Sequence, residues 1–167
     1  MPIRELDRLA QVVVERAAAL ALYARQWVDS AWAEDVVQEA LTALLAERRP
    51  PRDPVAWMYR AVRNTAIDYA RAASRRRSRE QLVAQQRCEW FEPRPGSLID
   101  ADVAERALRQ LPGESREVVV LRIWGDLGLA QIAAIMQVSV STVHERLACA
   151  LEQLRSVLEQ PCRSKMD

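Results

Sequence analysis

Residues 128–147, GLAQIAAIMQVSVSTVHERL, spell out two short helices joined by a tight turn. Leu129, Ile132, Ala133 and Met136 form an apolar stripe at helical spacing, Gln137-Val138 interrupts it, and a second helix restarts at Ser139 with Val143 and Leu147 facing inward. Ala133 is small where two helices must approach closely. Ser139 and Ser141 both qualify as N-caps for the orphan amides of the second helix. Ser141, Thr142, His144, Glu145 and Arg146 then fall on or near its solvent side, where a helix entering a DNA major groove carries its polar groups. The pattern reads as a helix-turn-helix, although an ordinary helical hairpin would show the same apolar spacing.

Charge distribution supplies a second, independent signal that the net charge of +1 conceals. Residues 1–47 carry eight acidic and four basic side chains, residues 48–79 carry ten arginines against Asp53 and Asp68, and residues 80–160 carry twelve acidic against eight basic. Arg71, Arg75, Arg76, Arg77 and Arg79 fall close together with no acid among them. Like charge at that density repels itself unless a polyanion neutralises it, which points to nucleic acid.

The chain has 167 residues, half of them apolar, and only four glycines. That is room for one average domain or two small ones, it excludes a disordered chain, and it favours an all-helical fold. Cys88, Cys149 and Cys162 are odd in number and show no paired metal-ligand spacing, so neither a disulfide framework nor a zinc site is expected. No apolar run reaches membrane-spanning length and the start, MPIRELDRLAQVVVERAAAL, shows no signal-peptide cleavage pattern. A cytoplasmic protein without membrane insertion is expected. Of the 24 basic residues only Lys165 is lysine, and arginine's planar fork suits phosphates and guanine edges.

Along the chain, a first helix is expected from about Ile3 to Val28, then a turn at Asp29-Ser30 and a second helix from near Ala33 to about Glu47, with Glu34 and Asp35 in its first turn. Pro50, Pro51 and Pro54 break the path, and Asp53 is placed to cap a third helix, roughly Val55–Ala73, with Pro54 at its first position. The Pro/Gly punctuation after Phe91 marks the best boundary. Trp90-Phe91 reads either as an anchor or as a local cap over the first domain. A second domain begins near Asp102, with helices leading to Leu111-Pro112-Gly113, through Val118, Val119, Leu121 and Ile123, and into the helix-turn-helix. The last helix continues past Leu154, and 161–167 reads as a frayed tail.

Two stretches carry a family resemblance. AEDVVQEALTALL at 33–45 with DPVAWMYRAVRNTAIDYARAASRRR at 53–77 closely resembles region 2 of bacterial sigma-70-family factors of the extracytoplasmic-function group. ALRQLPGESREVVVLRIWGDLGLAQIAAIMQVSVSTVHERLACALEQLR at 107–155 resembles region 4 of the same group. Together they cover most of the chain in family order. The resemblance implies an all-α fold of two small helical domains, with a region 2 bundle over 1–79, a linker over 80–101, a region 4 helix-turn-helix over 102–160 and a tail beyond.

The resemblance also implies roles. Asp35, Gln38, Glu39 and Leu41 match the segment that docks on core RNA polymerase, whereas Val36, Ala40 and Leu44 read as domain packing. Asp53 and Trp57 match positions that help open the duplex and capture a flipped base of the minus-ten element. Arg60, Arg63, Asn64, Tyr69, Arg71, Arg75, Arg76 and Arg77 are then minus-ten DNA residues; Asp68 matches the same promoter-reading helix, or simply pairs with a neighbouring arginine such as Arg71 or Arg75 and orients it. Ser139, Ser141, Thr142, His144, Glu145 and Arg146 are assigned to the minus-thirty-five element, and Arg116 and Arg122 to backbone or polymerase-flap contacts.

The chain departs from the pattern at three places. Gln137 replaces the usual turn glycine, requiring a left-handed conformation or a slightly different turn. His144-Glu145 replaces a more basic pair, and Cys149 stands where a polar or basic residue is common. The implied function is a promoter-specificity subunit with core polymerase, promoter DNA and an anti-sigma factor as partners, and with no cofactor. A stand-alone helix-turn-helix regulator would keep Ser139–Arg146 and dispense with the Asp35–Leu41 surface. An enzyme is disfavoured, because His144 and Cys149 point about 140° apart on one helix and no Gly-rich phosphate loop or HExxH occurs.

Overall fold

The computed structural model describes residues 3–49, 51–80 and 101–159, which form seven α-helices and no strand. The chain divides into two compact units, Met1–Trp90 and Phe91–Asp167. Trp90-Phe91, Cys88, Cys162 and the 161–167 tail lie outside the described residues.

In the first unit α1 (Ile3–Ala24), α2 (Ser30–Ala46) and α3 (Pro54–Glu80) pack pairwise on one another. Their core joins Leu20 and Tyr23 of α1, Val36 and Leu44 of α2, and Met58, Tyr59 and Val62 of α3, all at most 2% exposed. Each such side chain contributes about 1.5–3 kcal/mol by leaving water. Ala33, Ala40 and Ala66, also buried, let the backbones approach. Tyr23 meets Tyr59 and Trp27 edge-on, with ring centroids 5.4 and 5.1 Å apart, a favoured quadrupole geometry.

The helix boundaries differ from the sequence expectation in three ways. α1 stops at Ala24, and residues 25–28 continue as hydrogen-bonded turns that bury Val28. α2 begins at Ser30 because Asp29 caps it, its Oδ1 accepting from the Trp32 N–H at 3.1 Å, so Glu34 and Asp35 sit beyond the first turn. α3 runs on to Glu80, because the alanine-rich ARAAS segment and the arginines after it are compatible with helix and carry no breaker. Its start matches expectation: Asp53 Oδ1 accepts from the Ala56 N–H at 3.0 Å, with Pro54 as first helical residue.

In the second unit α4 (Ala101–Gln110), α5 (Gly113–Ile123) and α6 (Leu129–Met136) all pack against α7 (Val140–Glu159). Leu108, Leu111, Val119 and Ala150 form one buried cluster, with Trp124, Leu147 and Leu154 packed on it. α5 buries five consecutive residues, Glu117–Leu121, the mark of a helix enclosed on most sides. Ile123, the last apolar residue of the helix, is 53% exposed at its end. After α5 the chain turns through Gly125, where a Cβ would lie 2.5 Å from the Leu121 carbonyl oxygen, and Asp126, which holds φ 50°.

Candidate nucleic-acid interface

The turn between α6 and α7 is a left-handed C-cap closed by a Cβ-bearing residue. Gln137 holds φ 58°, ψ 43°, and the Val138 N–H bonds the Ala133 carbonyl at 3.1 Å. Of the two sequence alternatives for this turn, the left-handed conformation is the one adopted. Of the two candidate caps for α7, Ser139 is the one used: its Oγ accepts from the Thr142 N–H at 3.1 Å and lies 2.8 Å from both the Ser141 and Thr142 hydroxyls. At the other end of α6 the Gly128 N–H donates to Gln131 Oε1 at 2.9 Å, half of a capping box.

The residues assigned to α7 by sequence divide once the helix is docked. Ser141, His144 and Glu145 are exposed, while Thr142 and Arg146 are half-buried. At 100° per residue, Ser141, Glu145, Ala148 and Glu152 make one line opposite the buried Val143. Arg146 lies off that line and its guanidinium pairs with the carboxylate of Glu114, in the first turn of α5. Arg122 donates from Nη1 to the Leu127 carbonyl at 2.9 Å, bracing the loop before α6. Burial, and next the charge of Arg109, pull the Arg116 guanidinium below its ordinary value. Cys149 is an exposed free thiol on α7.

On α3, Trp57, Arg60, Asn64, Asp68, Arg71 and Arg75 recur at three- and four-residue intervals and so share one face. Met58, Val62 and Ala66 occupy the core side. Arg60, Asn64, Arg71, Arg75 and Arg76 are exposed, and Trp57 and Arg63 are half-buried. Asp68 pairs with Arg71 at 3.6 Å in the open, which orients the arginine and adds little stability. The helix backbone extends through Arg77, whose side chain lies outside the described residues.

Tyr69 does not join that face. It points toward α2, its ring 5.6 Å from Trp32 and its hydroxyl donating to Glu39 Oε2 at 3.4 Å. The structure thereby brings together a residue assigned to DNA and one assigned to polymerase docking. Asp35, Gln38 and Glu39 are exposed on α2 and Leu41 is half-buried. Trp32, 48% exposed, and Leu45, 45% exposed, add apolar surface to the same helix. Sequence reasoning does not find Trp32 or Glu114, since both act through contacts between distant helices that no local pattern encodes. Among the described residues no group of His, Cys, Asp and Glu is placed to hold a metal ion, and no helix is long and apolar enough to cross a membrane.

Comparison with known proteins places two families on the chain: Sigma-70 region 2 matches residues 13–76 and Sigma-70, region 4 matches residues 102–154. The chain is 34% identical over 156 residues to the ECF RNA polymerase sigma factor SigL of Mycobacterium tuberculosis, covering 87% of this chain and 86% of that one. Its fold resembles the sigma factor RpoE of Bartonella quintana, solved with the anti-sigma factor NepR, at TM-score 0.72 and 22% identity over 90% of this chain and 96% of the other. It also resembles CnrH, solved with the cytosolic domain of CnrY, at TM-score 0.60 and 26% identity over 91% of this chain and 88% of the other.

Proposed function

The chain belongs to the sigma-70 family, in its extracytoplasmic-function group, and from that membership we propose that it is a promoter-specificity subunit that joins core RNA polymerase and directs transcription initiation in the cytoplasm. The observation that carries this reading is the pairing, in one chain, of a three-helix unit bearing an arginine-rich α3 with a second unit bearing a capped helix-turn-helix. A stand-alone regulator needs only the second.

In this reading Asp35, Gln38, Glu39 and Leu41 on α2 meet core polymerase. Trp57, with Arg60, Asn64, Arg71 and Arg75 on the same face of α3, holds opened minus-ten DNA. An aromatic ring stacks on an extruded base and guanidinium groups hold the phosphates, which offsets the few kcal/mol that unstacking costs. Arg63, Arg76 and Arg77 add backbone contacts. Asp53 acts by capping α3 and fixing where Trp57 stands, and Tyr69 acts by bracing Glu39. Ser141, His144 and Glu145 face the duplex minus-thirty-five element, while Ser139, Thr142 and Arg146 hold α7 in place. The protein supplies binding and strand separation and no catalysis of its own. An anti-sigma partner fits the group, since the sigma factor RpoE of similar fold was captured with the anti-sigma factor NepR.

Run-off transcription with purified core enzyme and a promoter library tests the whole reading. Promoter-dependent transcripts that require this chain support it. Failure to bind core in a pull-down, with retained DNA binding, would favour the stand-alone regulator.

A further inference from the structure

Most of what α7 offers to a DNA groove is uncharged or negative. Arg146, the one arginine in the first three turns of α7, is turned back onto Glu114, leaving its side chain 24% exposed. Thr142 is drawn into the Ser139 cap at 2.8 Å. The outward line therefore begins Ser141, Glu145, with His144 exposed beside it. Glu145 has no ion-pair partner among the described residues.

An ionised carboxylate accepts hydrogen bonds and donates none. In the major groove it is repelled by guanine, which presents the N7 and O6 acceptors, and by the O4 acceptor of thymine. Adenine offers its N6 amino group beside the N7 acceptor, so attraction and repulsion meet at adjacent atoms. Cytosine offers the N4 amino donor alone on its own edge. We propose that Glu145 is the specificity-determining residue of α7, selecting a cytosine in the upstream duplex element by accepting a hydrogen bond from its N4 amino group. Phosphate repulsion against the carboxylate weakens binding to all sequences alike, whereas the acceptor edges of guanine and thymine repel it only where they occur, so discrimination comes partly from penalty. The inference rests on the reading of α7 as a duplex reader and adds the base it reads.

The test uses the full chain assembled with core polymerase. A duplex library randomised over about eight upstream base pairs, with the downstream region held constant, is selected for transcription and sequenced. The wild type should enrich cytosine about tenfold at one upstream position. Glu145→Gln, which can donate and accept, should move that position toward adenine, and Glu145→Ala should flatten it while neighbouring preferences persist. Circular dichroism confirms that both variants, altered at an exposed site, remain helical. A selected element in which every position ignores both substitutions overturns this inference and leaves the function reading standing. A chain that gives no transcript with core at any sequence overturns both.

Discussion

Gln137 occupies a left-handed conformation that costs a residue with a Cβ about 1–2 kcal/mol, and the rest of the helix-turn-helix holds it there. Gln137→Gly should therefore raise thermal stability by about 1 kcal/mol, read as a higher midpoint in a melt followed by circular dichroism; a lowered midpoint would mean that the glutamine side chain makes a compensating contact. Tyr59 presents the opposite kind of strain. It is 1% exposed, and its hydroxyl has no hydrogen-bond partner among the described residues. Burial pushes the phenol up from 10.0 to about 12, against a smaller opposing pull from the charge of Arg16. Because the folded value is raised, the stabilisation is complete below pH 10 and is lost as pH rises toward 12, by up to about 3 kcal/mol. Tyr59→Phe should remove this share of the alkaline loss and, by deleting an unmatched buried polar group, leave neutral stability unchanged or about 1 kcal/mol higher. Denaturant titrations at pH 7 and pH 11 decide it.

At the scale of elements, α3 and α7 interact with charge in opposite ways. α3 carries Arg60, Arg71, Arg75 and Arg76 outward over several turns, so replacing Arg75, Arg76 and Arg77 with alanine should weaken DNA-dependent steps broadly. The log–log salt slope should fall by about 0.9 for each phosphate that is no longer neutralised, with sequence preference little changed. Equal slopes for variant and wild-type holoenzyme would mean a face that only meets solvent. α7 keeps Arg146 tied to α5. Glu114→Gln removes the carboxylate that holds Arg146 and frees a cation for the phosphates. Its expected result is tighter binding to unselected duplex and a salt slope steeper by up to about one unit, with less discrimination between sequences. An unchanged slope would show that Arg146 stays in place without its partner. Both elements were legible from spacing and charge, whereas the ion pair that decides the use of Arg146 joins residues 32 positions apart and leaves no periodic trace.

For the whole molecule, the proposed function divides recognition between a duplex reader in the second unit and a strand reader in the first. Trp57→Ala should reduce transcription strongly from closed promoters and recover at least partly on templates mismatched over the minus-ten region, if the ring helps to open the duplex. Equal loss on both templates would assign Trp57 to base capture or packing alone. Tyr69 illustrates why such assignments need the folded chain. By sequence it belongs with the arginines around it, yet a 27-residue helix has several faces, and the ring lies on the one that meets α2. Its hydrogen bond to Glu39 means that damage at Tyr69 reaches the face of α2 proposed to dock on polymerase.

Periodicity, capping chemistry and local charge density act over a few residues, and for that reason the all-helical class, both helices of the helix-turn-helix, the Asp53 cap and the arginine-rich segment could be read from the chain before it folds. The same local chemistry left a true choice at Gln137 and at the Ser139 or Ser141 cap, where either alternative satisfies it. Folding closed those choices, carried α3 on to Glu80, turned Tyr69 toward Glu39 and drew Arg146 onto Glu114. Such outcomes depend on which faces of helices distant in sequence come within hydrogen-bonding reach. That is settled by the burial of Leu20, Val36, Val62 and Val119, side chains whose driving force has no direction and names no partner.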